Sequence, residues 1–115
     1  MCHVLIIEDE PLVAMDIEQL LEQEGATSFS FADSESEAIA LALETRPDVI
    51  TSDVKLISGT GPHAIRTILE KLGPIPVIFI TGTPEDCIPC EPPGVVLSKP
   101  LSALAVINAF HDLRA

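Results

Sequence analysis

The chain has 115 residues, a formal net charge of −12 and only six Lys and Arg residues. This length suits one domain of ordinary size, so we expect residues 1–115 to form a single domain. The shortage of basic side chains disfavours nucleic-acid binding and favours a metal cation or a basic partner surface. No apolar run approaches the ~20 residues that span a bilayer, and no signal peptide is visible. We therefore expect a cytoplasmic protein that binds no membrane.

The first third of the chain predicts a strand, a helix and a second strand. Residues 4–7 form a short apolar run without alternation, as expected of a parallel strand covered on both faces. Three acidic residues follow that run. A helix should begin at Pro11 and end at Gly25. Residues 28–31 alternate polar and apolar, which is typical of an edge strand.

The middle of the chain predicts a helix, a buried strand and another helix. Ser34 and Glu37 have the spacing of a capping box, which marks the start of the second helix. The apolar run that leads to Asp53 predicts a third strand with a carboxylate at its end. Pro62 can open the third helix. Its expected inner face consists of Ile65, Ile68, Leu69 and Leu72.

The last third predicts two more strands and a final helix. Residues 76–80 form a fourth strand that Thr81 ends, and residues 94–98 form a fifth that Lys99 and Pro100 follow. Four prolines between these strands allow at most about one helical turn, so the fourth helix should be shortened or replaced by a loop. Ser102 can cap the last helix, whose expected buried stripe is Ala103, Val106, Ile107 and Phe110.

Strands and helices alternate along the whole chain, which predicts an α/β fold with a parallel sheet and helices on both faces. Four strand ends carry polar side chains, and open α/β sheets place their chemistry at the carboxyl ends of the strands. Three carboxylates brought together there repel one another unless a cation or protons intervene. Hard oxygen ligands suit Mg²⁺. The polar residues at these ends are Glu8, Asp9, Asp53, Thr81 and Lys99.

The polar residues at these strand ends resemble the active site of response regulator receiver domains. That site consists of an acidic pair, an Asp, a Thr and a Lys-Pro, each after its own strand. The similarity covers essentially the whole chain. It implies a flavodoxin-like, doubly wound, five-stranded parallel sheet of order 2-1-3-4-5. It also implies a phosphoacceptor domain, not an enzyme, that works in a two-component phosphorelay with a histidine kinase or phosphotransfer protein and an unnamed downstream protein. Residues 79–82 are similar to a signature of atypical single-domain receivers.

The resemblance also assigns roles to individual residues. Asp53 would be the nucleophile that forms an acyl phosphate. The carboxylates of Glu8, Asp9 and Asp53 and the main-chain carbonyl of Lys55 would hold Mg²⁺. Thr81 and Lys99 would contact the phosphoryl oxygens, Thr81 by a hydrogen bond and Lys99 as a compact charge.

Other interpretations of these residues stay open at this point. The acidic residues at positions 8–10 could complement a helix dipole, and Lys99 could be a solvated surface charge. The whole chain could be a non-phosphorylated pseudo-receiver that acts as an interaction module. Cys87 and Cys90 have the spacing of a redox or metal motif, but the prolines around them favour inert thiols.

Receiver domains often carry Tyr or Phe three residues before the Lys that Lys99 matches, and the inward rotation of that ring reports phosphorylation. Val96 occupies this position here and has no ring to rotate. We predict that phosphorylation orders or shifts residues 82–93 instead. Amide hydrogen exchange with and without a phosphoryl analogue checks this prediction. Equal exchange of residues 82–93 in both states would contradict it.

Overall fold

A computed structural model of the chain describes residues 2–54, 56, 59–82 and 95–114. These residues contain five strands and four helices. The strands are β1 (His3–Ile7), β2 (Ser28–Ala32), β3 (Val49–Ser52), β4 (Val77–Thr81) and β5 (Val95–Ser98). The helices are α1 (Pro11–Gln23), α2 (Glu35–Glu44), α3 (Gly61–Leu72) and α4 (Ala103–Arg114).

All five strands are parallel and lie in the order β2-β1-β3-β4-β5. This confirms the α/β fold and the strand order that the resemblance implied, with β2 at one edge. Because the strands run in the same direction, their C-terminal ends meet at one edge of the sheet. That edge is where every predicted site residue should lie.

The helices cover both faces of the sheet, as predicted. α2 and α3 pack on one face, and α1 and α4 pack on the other. Side chains of a strand point alternately to the two faces, so Leu5 and Ile7 join one core while Val4 and Ile6 join the other. This two-sided burial explains why the β1 sequence is apolar without alternation.

The helix starts agree with the prediction except in detail. Ser34 Oγ accepts a hydrogen bond from Glu37 N–H at 3.3 Å, but the Glu37 carboxylate accepts from Asp33 N–H, one residue before the predicted partner. α3 begins at Gly61, one residue before Pro62. Thr60 is the N-cap of α3, so the helix starts one residue earlier than predicted.

The last helix corrects one predicted core residue. Ser102 caps it as expected, since its Oγ accepts from Ala105 N–H at 3.3 Å. Val106 and Phe110 are buried, but Ala103 is exposed. Ala103 occupies the first turn, ahead of the part of the helix that lies on the sheet, and Ala109 is buried in the stripe instead.

Some predictions fall on residues that the structure does not describe. The expected loop or single turn between β4 and β5, with Cys87 and Cys90, lies outside the described residues, and so does Lys55. None of the described helices is both long and apolar enough to cross a bilayer.

Gly61 predicts a measurable limit on this fold. A Cβ at Gly61 would lie 1.9 Å from the main-chain oxygen of Asp53 and 2.2 Å from Ser52 Oγ. Backbone cannot move aside cheaply, so Gly61→Ala should lower the free energy of unfolding by about 2 kcal/mol. Urea denaturation measures the loss. Gly82→Ala is the matched control, because a Cβ there meets no atom within 4 Å; equal midpoints for the two variants would contradict the prediction.

Candidate functional site

The polar residues predicted at the strand ends are placed by the parallel sheet. Glu8 follows β1, Asp53 follows β3, Thr81 ends β4 and Lys99 follows β5. Main-chain hydrogen bonds continue the ladder beyond the strands: Asp53 N–H donates to Ile7 O, and Lys99 N–H donates to Thr81 O, both at 2.8 Å. Thr81 is buried. The site residues therefore sit on the rigid sheet at its C-terminal edge.

Four carboxylates converge at this edge. One oxygen from each lies within 4.8 Å of the others, and the four residues are Glu8, Asp9, Glu10 and Asp53. Glu8 and Asp53 are buried, Asp9 is half-buried and Glu10 is exposed. Neighbouring ligands of one octahedral Mg²⁺ lie about 3 Å apart, so these oxygens would have to move closer together to hold a single cation.

The ammonium of Lys99 lies among these carboxylates. Its Nζ is 3.0 Å from Asp53 Oδ2, 3.1 Å from Glu10 Oε1 and 3.2 Å from Glu8 Oε1. The Lys99 side chain is only 16% exposed. The interpretation of Lys99 as a solvated surface charge is therefore wrong. The Lys99–Pro100 peptide bond that follows is cis.

Glu10 belongs to this cluster, although the sequence indicated only a possible helix charge there. Glu10 is the N-cap of α1, but its side chain makes no capping hydrogen bond. Its carboxylate pairs with Lys99 instead, so complementing the helix dipole is not the whole explanation of Glu10. The run of three consecutive acidic residues was the one sequence feature that could have pointed to Glu10 as a member of the cluster. The sequence alone does not show that Lys99 lies close enough to pair with Glu10.

The donor set fits a divalent cation. Oε1 of Glu8 is buried and makes no hydrogen bond of acceptable geometry to any described residue, although Lys99 Nζ is 3.2 Å away. Such an oxygen keeps lone pairs that a cation can use. The other available donors are carboxylate oxygens, which are the hard ligands that Mg²⁺ prefers. Receiver-type magnesium binding is therefore compatible with the residues present.

The protonation of the site reflects this crowding. Burial, and then the charge of Asp53, raise the pKa of Glu8 from 4.5 to about 7, against the opposing effect of Lys99. Burial by itself would lower the pKa of Lys99. Hydrogen bonds to Asp53 and Glu10, together with nearby negative charges, outweigh that effect and raise the pKa of Lys99. Lys99 therefore remains an ammonium ion at neutral pH.

Comparison with known proteins decides the family. A sequence model of one protein family, the response regulator receiver domain, matches residues 4–108 of the chain. The chain belongs to the response regulator receiver family. Receiver domains are components of two-component signalling systems, and they generally bind Mg²⁺ at an acidic pocket and interact with histidine kinases or phosphotransfer proteins.

Curated relatives of this receiver are longer proteins. It is 42% identical over 102 residues to the phyllosphere-induced regulator PhyR of Methylorubrum extorquens, covering 85% of this chain and 38% of PhyR. It is 38% identical over 77 residues to the transcriptional regulatory protein PdtaR of Mycobacterium tuberculosis, covering 66% of this chain and 38% of PdtaR. The receiver thus spans about two fifths of the length of these two relatives.

Solved structures share the receiver's fold. The solution structure of the PhyR receiver domain from Erythrobacter litoralis has a TM-score of 0.88 and 29% identity, with 98% of this chain and 89% of that one covered. The crystal structure of PhyR from Brucella abortus has a TM-score of 0.78 and 37% identity, with 96% and 49% covered.

The residues at the other end of β1 are remote from the carboxylates. Cys2 is buried, and the ring nitrogens of His3 contact the hydroxyls of Ser28 and Ser30 at 2.7 and 2.9 Å. His3 starts β1 and Glu8 follows its end, so Cys2 and His3 lie at the opposite pole from the candidate site.

The raised pKa of Glu8 predicts a pH dependence of stability in the metal-free receiver. Between pH 4.5 and about 7 the folded state binds a proton that the unfolded chain releases, so stability falls as pH rises through this window. From pH 5 to 8 in EDTA, the free energy of unfolding should fall by about 2 kcal/mol more in the wild-type protein than in Glu8→Gln, which has no proton to release at this position. Denaturant unfolding at several pH values measures the difference. The same pH slope for both proteins would contradict this account of Glu8.

Proposed function

We propose that this receiver accepts a phosphoryl group on Asp53 from the phosphohistidine of a histidine kinase or phosphotransfer protein. The resulting acyl phosphate would change the conformation of the domain and be sensed by a downstream protein. The observation that supports this most strongly is the 3.0 Å contact between Asp53 Oδ2 and Lys99 Nζ within the cluster of strand-end carboxylates.

The environment of Asp53 suits a nucleophile. Val54 N–H donates to Asp53 Oδ1 at 2.7 Å, which orients the carboxylate, and Oδ2 faces Lys99. In the proposed step, an Asp53 oxygen attacks phosphorus in line with the imidazole nitrogen. The new O–P bond forms as the N–P bond breaks, and the bonding electron pair leaves with the imidazole. The ammonium of Lys99 lies where it can pair with the incoming phosphoryl oxygens.

Other residues have supporting roles in this proposal. Glu8, Asp9 and Asp53 would hold Mg²⁺, with the main-chain carbonyl of Lys55 that the resemblance assigns. The ion supplies positive charge that neutralises the transferring phosphoryl group. Thr81 would donate its hydroxyl to a phosphoryl oxygen.

The charge of the chain guides the choice of partner class. A net charge of −12 opposes contact with nucleic-acid phosphates, so we propose protein partners on both the donor and the receiving side. One structural relative, PhyR of Bartonella quintana, is described as an anti-anti-sigma factor. By analogy, we propose a regulatory protein as the downstream target.

Labelling with a small phosphodonor tests the proposal. Acetyl phosphate with Mg²⁺ should add one phosphoryl group to the wild-type receiver, detected by intact mass. Asp53→Asn and EDTA should each abolish the addition, because they remove the nucleophile and the cation. Asp112→Asn, at an exposed position of α4, is the matched control and should label normally.

Two results would overturn the proposal. Undiminished labelling of Asp53→Asn would place the phosphoryl group elsewhere. A wild-type protein that stays unlabelled at saturating Mg²⁺, and also with a phosphorylated kinase, would favour the non-phosphorylated interaction module.

A further inference from the structure

A groove of about 430 Å³ lies between α1 and the end of β2. One wall is a flank of α1, and the other is formed by the end of β2 and the start of α2. Glu8 and Asp9 also line the groove, so it adjoins the carboxylate cluster. The residues of the two walls are Pro11, Ala14, Met15 and Glu18 on α1, and Phe31, Ala32, Asp33 and Glu37 opposite them. Ligand pockets in proteins begin at about 300 Å³, so a large side chain fits here.

The groove exposes apolar surface on both walls. Met15 is 52% exposed and Phe31 is 44% exposed, while Ala14 and Ala32 between them are buried. The Phe31 ring stacks on Phe29, with ring centroids 6.4 Å apart and planes at 25°. Single exposed apolar side chains are common on protein surfaces. Two that line the same groove, one of them a ring held by its neighbour, form a prepared apolar contact for an occupant.

The same groove carries negative charge without compensating positive charge. Glu18 is half-buried, and Asp33 and Glu37 are exposed. Glu37 Oε1 accepts a hydrogen bond from Asp33 N–H at 2.9 Å, but no Lys or Arg in the described part of the chain pairs with any of these three carboxylates. Lys99 pairs with members of the carboxylate cluster instead. The walls therefore combine apolar surface with acidic groups that a cationic occupant would neutralise.

This combination favours an arginine side chain over other ligands. A hydrated metal ion would gain nothing from Phe31 and Met15. Nucleic acids and anionic lipids carry the same sign of charge as the groove. A guanidinium, by contrast, stacks on an aromatic ring and donates hydrogen bonds to several carboxylates at once. The methylene groups of arginine can pack against apolar surface while its charged end reaches the acids.

We propose that the groove binds an arginine side chain, flanked by apolar residues, from a segment of a protein partner. Leu12 is 76% exposed, and residues three apart on a helix are neighbours on its surface. Leu12 therefore extends the apolar contact of Met15 beyond the groove, which suits an occupant larger than one side chain. The net charge of −12 also attracts a basic partner surface. The inference does not depend on phosphoryl transfer to Asp53.

NMR titration of the isotope-labelled receiver with a short peptide tests this inference. Salt at about 150 mM screens unspecific attraction between the peptide and the acidic surface. The peptide acetyl-Leu-Arg-Leu-amide should bind saturably at one peptide per chain, and it should shift the methyl signal of Met15 and the amide signals of residues 31–33. The same peptide with citrulline, which resembles arginine but has no charge, should bind about tenfold more weakly.

Two variants separate the two kinds of contact. Glu18→Gln removes one charge from the groove and should weaken binding of the arginine peptide about threefold. Phe31→Leu keeps an apolar side chain but removes the ring face, and it should also weaken binding about threefold. Asp16→Asn is the matched control, because Asp16 is an exposed acid on the flank of α1 that faces the start of α4. It removes the same charge outside the groove and should bind like the wild type.

Several outcomes would overturn the inference. Equal affinity for the arginine and citrulline peptides would exclude recognition of the guanidinium, and wild-type affinity in either Glu18→Gln or Phe31→Leu would exclude that wall. An equal loss in Asp16→Asn and Glu18→Gln would indicate unspecific attraction.

Other occupants of the groove are also outcomes of the test. Acetylarginine amide that binds as tightly as the tripeptide would indicate a site for a small cation. A dimer of the receiver that Phe31→Leu weakens would indicate that a second copy covers the groove. Either result would overturn the proposed protein segment. None of these measurements uses a phosphodonor, so the labelling of Asp53 succeeds or fails independently of them.

Discussion

The positive charge of Lys99 offsets the repulsion among carboxylates that the parallel sheet brings to one edge. Three of the four acids, Glu8, Glu10 and Asp53, pair with this single ammonium. Burial of Glu8 and Asp53 makes their mutual repulsion stronger than it would be in water. Burial, and then the charge of Asp53, raise the pKa of Glu8 to about 7, and the nearby ammonium only partly opposes them. Four carboxylates also face this one ammonium. The site therefore holds excess negative charge that a divalent cation would neutralise.

The rest of the fold keeps these like charges close together. Fully buried strands carry the acids to the edge, and main-chain hydrogen bonds extend the ladder past the strand ends to Asp53 and Lys99. Gly61 lets α3 pack against the Asp53 backbone. Glu35, on the neighbouring helix α2, contacts Thr60 N–H and His63 Nδ1 at the start of α3. The geometry at this edge thus depends on residues that pack outside the carboxylate cluster.

Local patterns in the sequence predicted the strands and most of the polar residues that meet at the C-terminal edge, while the strand order came from the family resemblance. Apolar runs marked the strands, and polar residues at their ends marked Asp53 and Lys99. The contacts of Glu10 and Glu35 were not predicted. Each depends on where a distant segment arrives: Lys99 is 89 residues beyond Glu10, and Thr60 is 25 beyond Glu35. Ala103 was assigned to the core because helical periodicity does not show where a helix first meets the sheet.

If carboxylates from separate strand ends form one cation site, they should respond together to Mg²⁺. Carboxyl-carbon NMR of the receiver during a Mg²⁺ titration measures this. The side-chain signals of Glu8, Asp9 and Asp53 should shift together and saturate at one ion per chain, while that of Asp48, just before β3, should stay unchanged. Small, non-saturating shifts spread over the acidic residues of the whole surface would contradict it.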